Sequence, residues 1–494
     1  MECQLNQKNL ADIAKSVSVP RYDRTSLTPG LVHMGMGHFH RAHYLVYLHR
    51  LLNRGTCREG VFEVDIMPVK ESFRSHLEAQ DHLYSLMTKA ADGSTALEVI
   101  GPILGYANAM DSPSVVLDRL ASPHTSLISL TITEKGYCYH DQEHSIDWTH
   151  PGIIHDLAVD DVQVPVTAIG YLARSLNMRF LDGKLPVTIM SCDNVPENGK
   201  VLKRCILQFC QKKYPLIEEW IASSIAFPCT VVDRITPATT EDTIRAIRRD
   251  YGLIDECAVH CEDYLQWFIE GSSVTPIPDF ASVGATMVAD VKPYSVMKIR
   301  LLNGSHSALS YPAYLLGLRD VDKAMDNPLI RTFIRDHYME EVVRTLPPID
   351  GIELSAYMDI LINRFSNPYI RDTILRLASD GSKKISNAII IPLMEAIQAG
   401  LNYKAMVFSL ACWARFLIGM DEQGAPIPLE DTQAEHLQIL AVRAKDEPRR
   451  FLEAINLGSL TVHQWQEVEQ LFQGYLATIV EQGIHTALKK FLEA

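Results

Sequence analysis

The chain has 494 residues, 47% hydrophobic and 21% charged, a composition typical of a globular protein of more than one domain. No apolar run approaches the roughly 20 residues of a membrane span, which argues against a membrane protein. The formal net charge of −14, without a long basic block, argues against a nucleic-acid partner. The N-terminus lacks a secretory pattern and the ten cysteines form no CxxC pair, so we expect a cytoplasmic protein with free thiols.

The first motif is an apolar stretch that runs into glycines and then a helical pattern, at residues 30–43. This order predicts a strand, a tight turn and a helix, in which Gly35 and Gly37 let backbone N–H groups approach a pyrophosphate. His40 stands where the usual fingerprint has a third glycine, so the motif alone equally fits a turn without a ligand. Three histidines of the motif also suggest a metal cluster: His38, His40 and His43.

The next predicted strand, residues 61–66, includes Asp65 near the position where an acidic residue usually binds the adenosine ribose of NAD. Lys70 follows shortly after, and a lysine can receive the 2′-phosphate of NADP. We therefore hypothesise NAD as the cofactor, with NADP as the second choice. A solvent-exposed Lys70 that touches no ligand is the alternative.

Three further segments are typical of strands that end in glycine or polar residues, at residues 125–137, 185–199 and 227–237. In an open parallel sheet, ligands lie at such carboxyl ends. From the residues alone, Lys135 is equally a ligand contact or a surface charge, and Asn194 favours a turn-capping role. Asp233 could pair with Arg234 or with another cation.

Around residue 286 the alternation of strands and helices changes to a mainly helical pattern. We therefore predict an α/β chain, with a Rossmann-type cofactor-binding domain containing an extended sheet at residues 1–286. A mainly α-helical substrate or catalytic domain is predicted at residues 287–494. Its helices are predicted at about residues 296–317, 326–345, 353–365, 368–378, 385–399, 402–419, 431–444 and 461–490.

The first of these helices carries three polar side chains that could take part in catalysis. At about 100° per residue, Lys298, His306 and Asn303 fall at about 0°, 80° and 140°, so a base, a ring nitrogen and an amide share one face. An ordinary buried helix with three polar residues fits the spacing equally well.

The stretch at residues 297–306, MKIRLLNGSH, resembles the signature of the polyol-specific long-chain dehydrogenases, the mannitol dehydrogenase family. This family includes mannitol 2-dehydrogenases and fructuronate and tagaturonate reductases. The likeness extends over most of the chain, with similar strings at residues 35–43, 133–137, 191–194, 232–235 and 364–384.

The resemblance implies a metal-independent oxidoreductase that works with NAD(H), often as a monomer, on a small polyol or ketose. It also implies a phosphate rather than a metal beside His38, His40 and His43. It implies Lys298 as the general base, Asn194 and Asn303 as donors to the oxyanion, and His306 as the group that orients the reacting carbon. The implied substrate-binding residues are Asp233, Arg376 and Lys384. The implied cofactor-binding residues are Gly35, Gly37, Phe39, Arg41 and Lys135. Asp65 and Lys70 are added from their position after the strand, where NAD-preferring members of the family carry acidic residues and this chain departs from them at Lys70.

A lysine is mostly charged at neutral pH, with an ordinary pKa near ~10.4, so a base at position 298 needs burial or nearby cations to lower its pKa. The chain also departs from the family, which usually has a glutamate three residues before the lysine, because Ser295 stands there. A hydroxyl can pass a proton along a water chain but cannot store one, so we expect turnover with an altered pH dependence.

The leading hypothesis is an enzyme that interconverts D-mannitol and D-fructose with NAD(H). A fructuronate or tagaturonate reductase of the same family is the first alternative. A non-catalytic nucleotide-binding sensor is an alternative from another class, motivated by Lys70 and Ser295.

Overall fold

The computed structural model describes residues 2–140, 143–160 and 163–494. These residues form two compact units, the first up to Ala90 with Ser94–Lys292 and the second Ala91–Gly93 with Pro293–Ala494. The division lies at Lys292, beyond the expected residue 286, because Thr286–Val288 pairs with the strand Gln266–Glu270 of the first unit. Within the described ranges, every helix is too short or too polar to cross a bilayer.

The first unit is built on a five-stranded parallel sheet. Its strands are β1 (Thr28–Met34), β2 (Glu59–Asp65), β3 (Ile103–Asn108), β4 (Leu127–Leu130) and β5 (Thr188–Ser191). Their order across the sheet is β5-β4-β1-β2-β3, with every pairing parallel. This is the doubly wound order of a dinucleotide-binding fold, which confirms the predicted fold class.

Helices cover both faces of this sheet, so its strands are apolar on both sides. Leu31 of β1 packs in one core with the helix Tyr44–Arg54, whereas Val32 packs in the opposite core with the helices Ala168–Leu181 and Asn198–Lys213. The other helices of the unit are Leu10–Ile13, His38–Ala42, Glu71–Ala79, Pro113–Ala121, Pro151–Ala158, Glu218–Ser224 and Glu241–Tyr251.

Smaller sheets extend the unit. One contains Val259–Glu262, Tyr84–Lys89 and Thr95–Ile100, and another contains Thr230–Asp233, Gln266–Glu270 and Thr286–Val288. Two short pairs join Cys3–Gln4 to Leu253–Ile254 and Tyr139–His140 to Ser145–Ile146.

The strand predicted at residues 125–137 is too long. Only Leu127–Leu130 is extended, because the backbone N–H groups of Ile132 and Thr133 donate to the Asp193 carboxylate, at 3.2 and 2.8 Å. Thr133 also takes a positive φ of 63°, which turns the chain away from the sheet.

The second unit is mainly helical, as predicted. Three of its long helices, at residues 292–315, 328–343 and 381–399, contain π segments at Lys298–Asn303, Phe333–Tyr338 and Ser386–Ile390. The remaining helices are Val321–Asp326, Leu354–Phe365, Ile374–Ala378, Lys404–Leu417, Ala434–Arg443, Pro448–Ala454, Val462–Gln482 and Ile484–Glu493. The helix expected at residues 461–490 is interrupted at Gly483, where φ is 81°.

Candidate active site

Two glycines shape the turn after β1. Gly35 has a φ of 102°, and a Cβ there would lie 2.2 Å from the Thr131 carbonyl oxygen, so only glycine fits. A Cβ at Gly37 would meet nothing within 4 Å, so this backbone is open to an approaching group. The turn therefore has the features that a pyrophosphate contact requires.

The side chains that follow the turn are engaged inside the unit. Arg41 is buried, and its guanidinium donates to the Cys257 carbonyl at 2.5 Å and lies over the Phe73 ring. Phe39 is partly exposed and stacks on His43 with ring centroids 4.9 Å apart. Arg41 thus anchors the helix after the turn, whereas Phe39 remains partly accessible.

Asp65 ends β2 beside the glycine turn. One of its carboxylate oxygens accepts the N–H of Met36 at 3.2 Å, and the other accepts the Tyr106 hydroxyl at 3.1 Å. Burial raises its pKa to about 6. Lys70 is exposed immediately before the helix Glu71–Ala79.

Among the described residues, the histidines that come together with a carboxylate are not the trio of the motif, His38, His40 and His43. His33, His40 and Glu63 come together, with His40 Nε2 at 2.7 Å from the Glu63 carboxylate. The two imidazoles stack face to face at 3.3 Å and 11°. A ring nitrogen binds a metal ion through a lone pair that lies in the plane of the ring. The lone pairs of two parallel stacked rings therefore do not converge on one ion, so a hydrogen-bonded cluster fits this geometry better than a metal site.

Asp193 joins the carboxyl ends of β4 and β5. Its carboxylate accepts the two backbone N–H groups beyond β4 and the Tyr137 hydroxyl, the last at 2.9 Å. Asn194 follows directly and is exposed, and Lys135 is exposed on the 3-10 turn Glu134–Tyr137. No role is predicted for Asp193 from the sequence, although its position inside the Ser-Cys-Asp-Asn string, beside the predicted Asn194, could have indicated one.

Asp233 ends a neighbouring strand and is buried. Arg234 donates to the carbonyls of Glu262 and Ala42, at 3.0 and 2.7 Å, and so ties down the backbone beyond Asp233. The buried Asn198 amide donates to the Asp193 and Thr230 carbonyls, at 3.0 and 3.1 Å. Asn198 therefore connects the Asn194 turn to the Asp233 strand.

In the second unit, the π segment changes the face that carries Lys298. The Gly304 N–H donates to the Ile299 carbonyl, an i→i+5 bond. Such a turn holds one residue more than an α turn, so Asn303 and His306 take roughly the places of i+4 and i+7. These places lie about 40° and about 20° from Lys298, a tighter grouping than the unbroken helix predicts.

His306 lies in a strongly charged neighbourhood. Burial lowers its pKa to about 3, while Asp372 opposes the shift and Arg376, Arg364 and Lys384 add to it. The imidazole is therefore neutral at neutral pH, and it packs on the Phe365 ring at 4.5 Å. Among the described residues, its buried Nε2 has no hydrogen-bond partner.

Asp372 organises the two predicted substrate-binding cations. Arg376 donates through Nε and Nη2 to the two oxygens of the buried Asp372 carboxylate. Lys384 donates to the Leu377 carbonyl at 3.2 Å, and burial, with the charge of Arg376, lowers its pKa. Asp372 is a second residue without a predicted role, although it lies four residues before Arg376.

Together, the doubly wound sheet, the open glycine turn and the lysine-bearing helix define a two-domain protein of the dinucleotide-binding class. The mannitol dehydrogenase Rossmann domain matches residues 29–280, and the mannitol dehydrogenase C-terminal domain matches residues 290–479. The chain belongs to the mannitol dehydrogenase family, which confirms the resemblance inferred from the motifs.

Individual relatives are similar over almost the whole chain. Mannitol 2-dehydrogenase of Neosartorya fischeri is 36% identical, covering 99% of both chains. D-mannonate oxidoreductase of Escherichia coli is 38% identical over 87% of this chain and 88% of its own. The structure of Pseudomonas fluorescens mannitol 2-dehydrogenase in ternary complex with NAD and D-mannitol superposes with a TM-score of 0.88, at 34% identity and 99% and 100% coverage.

Proposed function

We propose that this protein is an NAD-dependent secondary-alcohol dehydrogenase that interconverts D-mannitol and D-fructose. The observation that carries the proposal is the placement of Lys298, Asn303 and His306 on one face of a helix whose neighbourhood holds Arg376 and Lys384. Full-length similarity to mannitol 2-dehydrogenases supports it.

The glycine turn supports a dinucleotide as cofactor. Gly35 allows the turn and Gly37 leaves its backbone open, so these residues would hold the pyrophosphate. Asp65 and Lys70 are the proposed contacts of the adenosine ribose, with the accessible Phe39 and Lys135 as further proposed cofactor residues. Arg41, proposed as a cofactor residue from the motif, is buried against the Cys257 carbonyl and would act by anchoring the helix after the turn. NAD supplies the hydride acceptor when bound. NADP is the second choice, because Lys70 is exposed and cationic.

In the proposed chemistry, Lys298 removes the hydroxyl proton of the polyol. Asn303 and Asn194 donate hydrogen bonds to the oxygen as it gains charge. His306 is neutral, so its Nε2 can hold a substrate oxygen and orient the carbon. Arg376, Lys384 and Asp233 bind the remaining hydroxyls. Ser295, partly exposed, would pass the proton to solvent through water.

A hexuronate or aldonate substrate is the second candidate, because D-mannonate oxidoreductase is a 38% identical relative. Arg376 and Lys384 would pair with the carboxylate of such a substrate. Oxidation of D-mannitol and reduction of D-fructose and D-fructuronate, followed by cofactor absorbance with NAD(H) and NADP(H), distinguish the two candidates. Nucleotide binding without turnover of any of them would favour the sensor.

The decisive variant is Lys298→Met. Loss of a positioned base lowers kcat by about 10²- to 10⁴-fold, and we expect NADH binding, followed by fluorescence, to be unchanged. Lys292→Met, at an exposed lysine of the same helix, is the matched control and should retain activity. A Lys298→Met protein with normal kcat would refute the assignment of the base.

We further propose a monomeric and cytoplasmic enzyme that works without metal or nucleic acid, as the family resemblance implies. All ten cysteines in the described part of the chain are free thiols, which suits a reducing compartment. Light scattering of the purified protein would test the monomer, and a dimer mass would contradict it.

A further inference from the structure

The π segment at Lys298–Asn303 is held by contacts from elsewhere in the second unit. An i→i+5 turn is uncommon and occurs mostly as a single turn within an α-helix, frequently at functional sites. Because the spacing of Lys298, Asn303 and His306 depends on this turn, whatever stabilises the turn also sets the geometry of the three side chains.

Arg300 projects from the middle of the turn and is buried. Its two terminal nitrogens donate to the two carboxylate oxygens of Glu395, at 2.6 and 2.7 Å. One of them also donates to the carbonyl and hydroxyl oxygens of Thr345, at 3.0 and 3.1 Å. A bidentate, charge-assisted pair fixes both distance and orientation, which a single hydrogen bond does not.

The end of the turn is held at Gly304. A Cβ at this position would lie 2.5 Å from the Tyr338 hydroxyl and 2.9 Å from the Ala388 carbonyl oxygen. Tyr338 itself donates to that carbonyl at 3.3 Å. Tyr338 and Ala388 belong to the other two π segments, so the three irregular turns meet at a point where only glycine fits.

We propose that Arg300, fixed by Glu395 and Thr345, is a positioning residue that maintains the π turn and thereby holds Lys298, Asn303 and His306 on one face. The inference rests on the proposed function for its kinetic consequence. Its structural part, the stabilisation of the turn by the ion pair, does not depend on that function.

The test is Glu395→Gln, which removes the negative charge that pairs with Arg300 and keeps the side-chain size. We expect kcat for the polyol to fall by about 10-fold or more, because small displacements of reacting groups are costly, whereas NADH binding stays the same. Hydrogen exchange of the backbone at residues 298–306, followed by mass spectrometry, should become faster. Arg300→Lys should also lower kcat and speed the exchange at residues 298–306, since a lysine ammonium cannot form the bidentate pair with Glu395.

Asp359→Asn is the matched control. Asp359 accepts a hydrogen bond from Arg335, on the second π segment, at 2.8 Å, and its loss should change neither kcat nor exchange at residues 298–306. Unchanged exchange there in Glu395→Gln would overturn the proposal. Faster exchange throughout the second unit would also overturn it, because the pair would then support the fold rather than the turn.

The two readouts separate this inference from the proposed function. If the wild-type protein turned over no polyol, ketose or hexuronate, the proposed function would fail. Locally faster exchange in Glu395→Gln would still support the stabilisation of the π turn by Arg300 and Glu395, and unchanged exchange would still refute it.

Discussion

The predicted polar site residues of the second unit interact with neighbouring charged side chains. Arg376 is predicted to bind substrate hydroxyls, and two of its guanidinium nitrogens, Nε and Nη2, are paired with Asp372. The same carboxylate acts electrostatically on His306, where it opposes the effect of burial. A charged partner therefore aligns the guanidinium that the motif points to.

Asp372→Asn tests this arrangement. Loss of the carboxylate removes the bidentate partner of Arg376, and we expect the KM for the polyol to rise about 10-fold, equal to about 1.4 kcal/mol, with kcat less affected. Steady-state kinetics with saturating cofactor measure the effect. Asp326→Asn, at an exposed partner of Lys323, is the control and should leave KM unchanged. An unchanged KM in Asp372→Asn would mean that Arg376 needs no such partner.

Among the secondary-structure elements, strand and helix ends were harder to predict than their presence. β4 ends earlier than predicted because the carboxylate of Asp193, which is distant in sequence, accepts hydrogen bonds from the backbone N–H groups that follow the strand. The helix Lys404–Leu417 begins where the Glu341 carboxylate accepts the N–H groups of Ala405 and Met406, at 2.9 and 3.1 Å. Both contacts join segments that local patterns treat separately.

Glu341 gives the stability of the protein a defined pH dependence. Burial raises its pKa to about 7 from the ordinary 4.5, despite the N–H donors. The folded state therefore holds a proton that the unfolded state has lost between these pH values. The free energy of unfolding should fall as pH rises through this window, by up to about 3 kcal/mol from this group.

Glu341→Gln cannot titrate, so its melting temperature should fall less than that of the wild type between pH 5 and about 7.5. Thermal unfolding in a series of buffers measures the difference. Glu435→Gln, at an exposed glutamate, controls for the change in net charge. Parallel curves for wild type and Glu341→Gln would show that Glu341 does not contribute.

For the chain as a whole, the proposed chemistry needs no metal. Among the described residues, His33, His40 and Glu63 are the buried group whose side chains are close enough to be metal ligands, but the stacked imidazoles suit hydrogen bonding instead. Dialysis against EDTA should therefore leave both turnover and melting temperature unchanged. Loss of activity that added Zn²⁺ or Mg²⁺ restores would contradict a metal-independent enzyme.

The sequence by itself determined the features that depend on neighbouring residues. Apolar periodicity predicted the strand before Gly35 and the change to helices near residue 286, because side-chain alternation follows directly from local backbone geometry. The family motifs added the identity of Lys298, Asn303 and His306.

Only the tertiary structure decided how those residues are arranged. The π turn is stabilised by Arg300, Glu395 and Gly304, whose partners lie far along the chain. The pairing of Arg376 with Asp372, and the surroundings that keep His306 neutral, likewise depend on burial among several helices. Burial and long-range hydrogen bonds arise only when distant segments pack, so no local pattern contains them.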